Sequence, residues 1–489
     1  MRWKFWRGLL LLLAGLITLL ALYQAEENWR GRRAWDKYKS MAEAKGDSFD
    51  FAQYVPPPVP DDQNFAMTPF FAPLFDYVPG SQNPRDTNAV RRIDSVGALL
   101  RPFGGTIQET WVEGKPLNFA YLLRTNAGAL QVLEKLKVAD PVLNELQDAS
   151  RRPYSRFNIN YGWHFSPGIT LQHLGIIKQL SAILELRACS ELTLGRTDGA
   201  FQDVGLMFHL MNSIRSEPFL ITQIRRADIL TETLQPIWEG LAHRQWSDKQ
   251  LADFTRQLRA LDFLDDDVRA LRGEPHLFDS FFASLRSTPD PLPMIDGIGD
   301  RADSDTFMGH LVGLILPRGW FYFEEVNYHR LYDEQKNDVM TPKGIDPDVA
   351  EQKEAAAHAE LGSVAHDLLH HELISRILLP TITNFERRLA RAQTYANLAS
   401  VGCALERYRL VHGQFPEALD ALAPDFLPAV PRDVITDQPL KYRLTGDGEF
   451  LLYSVGWNKK DDKGVVAKDT LDKTHGDWAW KYPATPLTR

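Results

Sequence analysis

Hydrophobic spacing divides the chain into one continuous apolar run, a long stretch of helical periodicity and a short alternating tail. Gly8 to Tyr23 contains no charged residue and nine leucines, and Arg2, Lys4 and Arg7 precede it. As a helix rising about 1.5 Å per residue, Gly8–Ala25 reaches roughly 27 Å, enough for a thin hydrocarbon core. Helical spacing continues from Glu26 to Lys45, with Trp29, Arg33, Trp35 and Tyr38 just beyond the apolar run. Aromatic residues there suit a membrane interface, and a solvated stalk helix fits the same pattern. Farther on, Phe201, Val204, Phe208 and Met211 fall on one helix face, as do Leu251, Phe254, Leu258 and Leu261. The second of these helices opens with Ser247-Asp-Lys-Gln250, a capping-box pattern. Between Ala188 and Ala200 the small residues Gly195 and Gly199 predict a tight helical hairpin. No second copy follows at a fixed period, so antiparallel helix pairs describe the body better than a solenoid.

Helical sequence resumes near Asp348 and is predicted to continue, with an interruption at Pro380, to about Val411. Its last part carries Leu398, Val401, Leu405 and Tyr408 on one stripe, with Ala392, Ala396, Ala399 and Cys403 on the next. The smaller stripe suits close helix packing. Irregular segments separate these regions. Eight prolines lie between Pro56 and Pro84 with a single glycine, which predicts an extended, semi-rigid segment. A polyproline ligand would need only the prolines. Phe65, Phe70, Phe71, Phe75 and Tyr77 point instead to a strap lying on the folded body. Between Asn88 and Ala149 periodicity is mixed, and Thr106–Val112 reads as a short strand. Residues 287–320 and 336–350, rich in Pro, Gly and Asp, are predicted as long loops. Near the end, Leu440–Leu444 and Glu449–Ser454 flank Thr445-Gly-Asp-Gly448, a hairpin signal.

Length and charge sharpen this picture. A chain of 489 residues supports two or three domains, and 44% hydrophobic with 24% charged residues excludes disorder as a description of the whole. Cys189 and Cys403 are the only cysteines, which excludes a disulfide framework and multi-cysteine metal sites; both read as small buried apolar residues. A net charge of −9 argues against nucleic acid as a partner. Residues 1–39 hold eight Lys/Arg against three Asp/Glu, so a basic head is joined to an acidic body. A cleaved signal peptide competes with a membrane anchor for the apolar run. The candidate exits Leu19/Ala21 and Tyr23/Ala25 place a bulky side chain where cleavage needs a small one, which favours the anchor. Arg30, Arg32 and Arg33 weaken the positive-inside signal. Retention of the short basic tail inside places the body outside the cytoplasm.

Familiar catalytic signatures are missing: there is no G-x-S-x-G, no Gly-rich loop followed by Lys-Ser/Thr, and no complete dinucleotide fingerprint. The best enzyme candidate is His366-Asp-Leu-Leu-His370-His371-Glu372. His366 and His370 share a helix face with the spacing of helical zinc proteases, although Asp367 stands where the longer general-base glutamate belongs. Glu360, Glu372 and His358 are alternative third ligands, and a solvated polar face explains the same residues. Asp290, Asp296, Asp300, Asp303 and Asp305 crowd one loop without the order of a calcium-binding loop. Glu324, Glu325, His329 and Glu334, beside Trp320 and Tyr322, form a further group that an ordinary surface helix also explains.

A resemblance emerges in the last eighty residues. Ala404-Leu-Glu-Arg-Tyr-Arg-Leu-Val-His-Gly-Gln-Phe-Pro416 reads as a helix that ends at Gly413 and turns into proline. Leu419, Leu422, Pro424, Val430-Pro431 and Asp433 follow, then Pro439-Leu-Lys-Tyr442, Leu452-Tyr-Ser-Val-Gly456 and Asp477-Trp478. This order resembles the globular part of the type II secretion major pseudopilin. The anchor departs from that family, lacking its leader and its processing site, and some 330 residues separate anchor from module. The chain as a whole also resembles large membrane-anchored proteins of verrucomicrobial and planctomycete-type bacteria, which imply no activity. From the pseudopilin, the resemblance implies calcium after the Tyr-Ser-Val-Gly turn. Asn458, Asp461, Asp462 and Asp477 would offer side-chain oxygens and Val455 its carbonyl, with Asp469 or Asp472 as further donors. Asn458 replaces the family's aspartate, and Lys459, Lys460 and Lys463 dilute the charge.

The expected architecture is therefore mainly α. Residues 1–25 form a transmembrane anchor, 26–46 a juxtamembrane helix, 47–87 a proline-rich extended segment, 88–384 a body of α-helical hairpins, and 385–489 a helix with a small α+β pseudopilin-like domain. The expected role is that of a single-pass protein of the bacterial inner membrane, with a periplasmic body and protein partners in the cell envelope. A metal-dependent hydrolase using His366 and His370, and an assembly factor of a secretion or pilus-like machine, are the alternatives.

Overall fold

The computed structural model describes residues 2–78, 83–103, 125–161, 171–296, 316–336, 339–341, 344–361, 366, 370–379, 381–446, 448–467 and 472–481. Anchor and juxtamembrane segment are one uninterrupted helix, α1 (Arg2–Ala44). No proline or paired glycine breaks it, and the polar residues after Tyr23 are good helix formers. Its apolar half is unburied and is long and apolar enough to cross a membrane. Its second half packs on the body.

After α1, the proline-rich segment is indeed a strap. Phe65, Phe70, Phe71 and Phe75 are buried, and short 3-10 turns replace regular helix between the prolines. Backbone bonds sew it down: Phe65 N–H donates to the carbonyl of Tyr154 (2.8 Å), and the Asn64 side chain spans the backbone of Arg156 with two bonds of 2.8 Å. Phe71 meets Phe157 edge-on at 5.3 Å, closing an aromatic layer beneath the strap.

Helices α2 (Thr87–Asp94), α3 (Asn126–Leu136) and α4 (Asp140–Ala149) are short and border the main bundle. That bundle consists of α5 (Gln172–Thr193), α6 (Thr197–Ser213), α7 (Leu220–Ala242), α8 (Asp248–Arg259) and α9 (Phe263–Leu277). Helices α5 and α6 form the expected tight hairpin. Gly195 takes φ +71°, and the bonds Gly195 N–H to Leu192 and Arg196 N–H to Glu191 make a Schellman C-cap. Both bonds of the capping box at Ser247 and Gln250 are present. A buried ion pair ties α7 to α9: Arg226 Nη1 donates to Asp266 at 3.0 Å, and Arg215 reaches the other oxygen at 2.7 Å.

Helices α10 (Asp279–Ser287), α11 (Trp320–Lys336), α12 (Pro347–Glu360) and α13 (Thr381–His412) complete the helical part. The sequence predicts one helix from Asp348 to Pro380, and the structure corrects this. Leu361 leaves helical geometry ahead of Gly362-Ser363, and a separate helix begins at Leu373. Within the loop expected at 336–350, Met340–Thr341 pairs antiparallel with Gly344–Ile345, and α12 starts at Pro347. The strand expected at Thr106–Val112, Pro380, and Asp300, Asp303 and Asp305 lie outside the described residues.

Strands β1 (Lys441–Leu444), β2 (Phe450–Ser454) and β3 (Trp478–Lys481) make an antiparallel sheet in the order β1-β2-β3. Leu452 pairs with Tyr442 on one side and Trp480 on the other. The sheet leans on α13, whose small stripe Ala392, Ala396, Ala399 and Cys403 is buried. At Gly402 even the indole of Trp480 comes within 3.0 Å of where a Cβ would stand. Sheet, bundle and strap share one continuous apolar core, from Phe65 to Trp480. Both cysteines are buried and unpaired within it.

Two glycines set the docking of α1. A Cβ at Gly31 would lie 2.1 Å from the carbonyl oxygen of Gly319, and a Cβ at Gly319 would lie 2.0 Å from that of Glu27. Gly319 N–H donates to the Asn28 side chain at 2.5 Å. Only glycine permits this backbone-to-backbone approach.

Two expectations follow. Phe208 and Leu258 are each about 1% exposed, so truncation of either to alanine should cost about 2–5 kcal/mol in denaturant unfolding; a change below roughly 0.5 kcal/mol would show the face to be misassigned. Gly31→Val should release the second half of α1, read as faster tryptic cleavage after Arg33, Lys37 and Lys39. Gly15→Val is the control, since nothing lies within 4 Å of a Cβ there; equal cleavage in both variants would remove the docking argument.

Candidate functional site

Sequence reasoning singled out four groups; the aspartates from Asp290 to Asp305 fall largely outside the described residues, and the fold treats the other three differently. His366 and His370 stack, with ring centroids 4.0 Å apart, and His370 Nδ1–H donates to the carbonyl of His366 at 2.9 Å. His370 is exposed and His366 half-buried. Two of the carboxylates considered as third ligands, Glu360 and Glu372, turn to the guanidinium of Arg330. Asp367 and the side chain of His358 lie outside the described residues. The turn that follows is pinned by Asn327, which donates to the carbonyls of His370 and His371 at 2.9 Å each. His371 sits at φ +60° with its ring against Trp320 and Phe323.

Asn458, Asp461, Asp462 and Asp477 share the C-terminal turn, but the three carboxylates do not gather within 4.8 Å of one another. Asp477 is buried and accepts from the backbone N–H groups of Asp462 (3.1 Å) and Gly464 (2.6 Å). Asp462 accepts from Gly476 N–H at 2.7 Å and from the Asn458 amide at 3.1 Å, while Asp461 accepts from Tyr453 and from Lys463 N–H. Burial, with Asp461 and Asp462 nearby, pushes the Asp477 carboxyl up to about 6. Val455 N–H is held by Asp433, and Lys459 reaches away to Asp346 and Asp348 on the α12 side. Asp469 lies outside the described residues, and Asp472 caps the turn at Thr474.

The third group contains one residue that the sequence suggested, His329, and two that it did not. The glutamates expected beside His329 disperse. Glu324 accepts from Leu373 and Ile374 N–H, Glu325 pairs with Arg286, and Glu334 pairs with Arg330 on the surface. His329 instead meets His276 and Asp279, fifty residues earlier. His276 ends α9 one residue after Pro275, and Asp279 opens α10, so the break between these helices presents both side chains to the buried face of α11. His329 Nε2 lies 2.7 Å from Asp279 Oδ1, and His276 Nδ1 lies 3.1 Å from Oδ2. The three ligand atoms all fall within 4.8 Å of one another, and this is the one such grouping of three among the described residues.

Aromatic rings enclose the group. Tyr54 stacks on His276 at 5.3 Å, and Phe49 stands edge-on to both imidazoles at 4.9 and 5.5 Å. Trp35 and Tyr38 of α1 close over His329 at 5.7 and 5.9 Å. Both histidines are buried, whereas the side chain of Asp279 stays about 20% exposed. Electrostatics bind the group internally. Burial works against ionisation of Asp279, yet the two imidazoles outweigh it and hold its carboxyl below the usual range. Burial likewise disfavours an imidazolium at His329, but Asp279, Glu325 and Asp333 raise its pKa overall. Burial pushes Glu325 up to about 7 against the pull of Arg286. Burial and the Asp333 carboxylate, to which it donates at 3.0 Å, raise the Tyr38 phenol.

The arrangement can hold a proton between carboxylate and imidazole, or a cation in the place of that proton. No protein-family model, curated protein or solved structure matches the chain significantly.

Proposed function

We propose that this is a single-pass protein of the bacterial inner membrane, with its body in the periplasm, which acts by binding protein partners in the cell envelope. The observation that carries this reading is α1: its leucine-rich half is unburied, and the same helix runs without a break into the body and docks there. Such a body is held at the membrane surface with little freedom to tilt. The basic tail ahead of the apolar run supports retention of that end inside, and the acidic body suits the opposite side. Trp29, exposed beside Arg33 on α1, sits where an interfacial aromatic belongs.

The C-terminal module is proposed to be pseudopilin-like. Supporting this, α13 ends beside Gly413 at φ +79°, the proline-rich stretch carries only a 3-10 turn, and a three-stranded sheet closes with Trp478. Asp461, Asp462 and Asp477 share one turn, Asp462 and Asp477 being tied to it by backbone N–H groups, although their oxygens are not gathered within 4.8 Å of one another. Each carboxylate has more lone-pair sites than the bonds described, so a hard cation can be added to the turn without dismantling it.

The topology is tested by fusing a reporter active only outside the cytoplasm after Arg489. It should be active, and the full-length protein should sediment with membranes; an inactive reporter would place the body inside. Crosslinking in native membranes followed by pull-down should recover envelope proteins, and recovery of the chain alone would overturn the binding role. Calcium is tested on the detergent-solubilised full chain. Millimolar calcium should raise the melting midpoint, as any ligand of the native state does, and Asp461→Ala with Asp462→Ala should abolish the rise. An unchanged melting curve would leave these aspartates as turn-forming residues only.

A further inference from the structure

Several features qualify for a role beyond anchoring. The shallow groove of about 330 Å³ bordered by Asp420, Arg432 and Tyr442 has nothing on it that selects an occupant. The Arg226–Asp266–Arg215 group is held by ion pairs among its own members and links two helices. The cluster of His276, Asp279 and His329 differs from both, because its donors converge on one point and retain a route to solvent.

We infer that His276, Asp279 and His329 form a binding site for a first-row divalent transition metal, closed over by the juxtamembrane part of α1. Two imidazole nitrogens with one carboxylate oxygen are the borderline donor set favoured by zinc, iron(II) and cobalt(II), not by calcium or magnesium. Tetrahedral ligation with bonds of about 2.0–2.1 Å needs ligand atoms roughly 3.3 Å apart. The two contacts to Asp279, 2.7 and 3.1 Å, are close to that separation. His276 offers Nδ1 and His329 offers Nε2, and the ligand atoms of all three residues lie within 4.8 Å of one another. The surrounding charge favours a cation: beyond Asp279, Glu325 and Asp333 lie near enough to act on His329, although their side chains pair with Arg286 and Lys336. Tyr38 links Asp333 to α1, and Trp35, Phe49 and Tyr54 exclude water from the imidazoles. The partly exposed edge of Asp279 gives an ion its way in.

A purely structural alternative uses the same atoms: a carboxylate bridging two histidines through shared protons. The two are separable by experiment. Full-length protein in detergent is stripped with chelator, dialysed and titrated with cobalt(II) and zinc(II). One cobalt per chain should bind and give visible d–d bands typical of nitrogen and oxygen ligation at low coordination number, and one zinc should displace it. Zinc should raise the melting midpoint. His276→Gln, His329→Gln and Asp279→Asn should each weaken binding by at least about 100-fold, more than the roughly 10–100-fold typical of an outer-shell change. A His366→Ala/His370→Ala variant must keep the metal, since those stacked rings are the other place where a divalent ion could lodge. Wild-type protein that shows no cobalt bands after stripping overturns the site without reference to any variant. So does a zinc-induced shift that survives in the three site variants, or that vanishes in the His366/His370 variant.

Discussion

A close backbone approach, between Gly31 of α1 and Gly319 at the start of α11, governs how the rest can be arranged. At this crossing there is no room for a side-chain carbon on either partner, so helix and turn meet backbone to backbone. The bond from Gly319 N–H to Asn28 and the burial of Glu27 fix the register of the two elements. Register matters because α1 is rigid. A helix rises about 1.5 Å per residue and turns about 100°, so placing Gly31 also places Trp35 one turn later and Tyr38 two turns later. Both then face His329 on α11. The same rigidity carries the orientation of the body back to the apolar half of α1. One contact thus sets how the body sits relative to the apolar half of α1 and what covers its buried polar group.

Buried polarity is costly, and the fold tolerates it where geometry supplies partners. Asp266 and Arg226 are fully buried, and the Arg226 guanidinium also lies over the ring of Phe263 at 5.0 Å. A pair of this kind contributes little net stability relative to a well-packed apolar core, while loss of one member costs about 3–5 kcal/mol because the other is left charged in a dry environment. Its effect is therefore on specificity: α7 and α9 can pack in only one register. The cluster at Asp279 follows the same rule with a difference. Its carboxylate is flanked by two imidazoles instead of guanidinium groups, and an imidazole nitrogen can serve as hydrogen-bond donor or as ligand. That choice of role is what distinguishes the cluster from the pair at Asp266.

Much of the fold was legible in local pattern. The stripes through Phe208 and Leu258, the small-residue stripe on α13, the capping box at Ser247 and the turn at Gly195 depend on neighbours within two turns of helix. The strap was legible because five aromatic residues among prolines have no other means of leaving water. The break at Leu361 was not, since the helical spacing of the sequence continues past Gly362. Gly31 and Gly319 looked like ordinary glycines, because a close approach is a property of two segments and neither one announces it. His329 was noticed, but with the wrong companions: the acidic residues next to it in sequence point elsewhere. His276 and Asp279 carry no motif of their own. They become a group because Pro275 and the break at Phe278 end one helix and begin another at the place where α11 crosses.

The C-terminal module illustrates why resemblance of sequence and mode of attachment are separate matters. Its sheet does not hang from α13 as an appendage. Trp238 of α7 donates to the carbonyl of Lys481 at 2.7 Å, Arg244 pairs with Glu449, and Trp457 reaches Glu351 on α12. Lys459 and Lys473 then clamp the turn to Asp346, Asp348 and Glu354. Lys459 and Lys473 thus neutralise the acidic start and inner face of α12 instead of the aspartates beside them in sequence. Burial, with Asp461 and Asp462 nearby, is why Asp477 resists ionisation. A module held from so many sides cannot move as a unit against the body without breaking its contacts with α7 and α12. The surface it presents is in consequence composite, built from helix and sheet together.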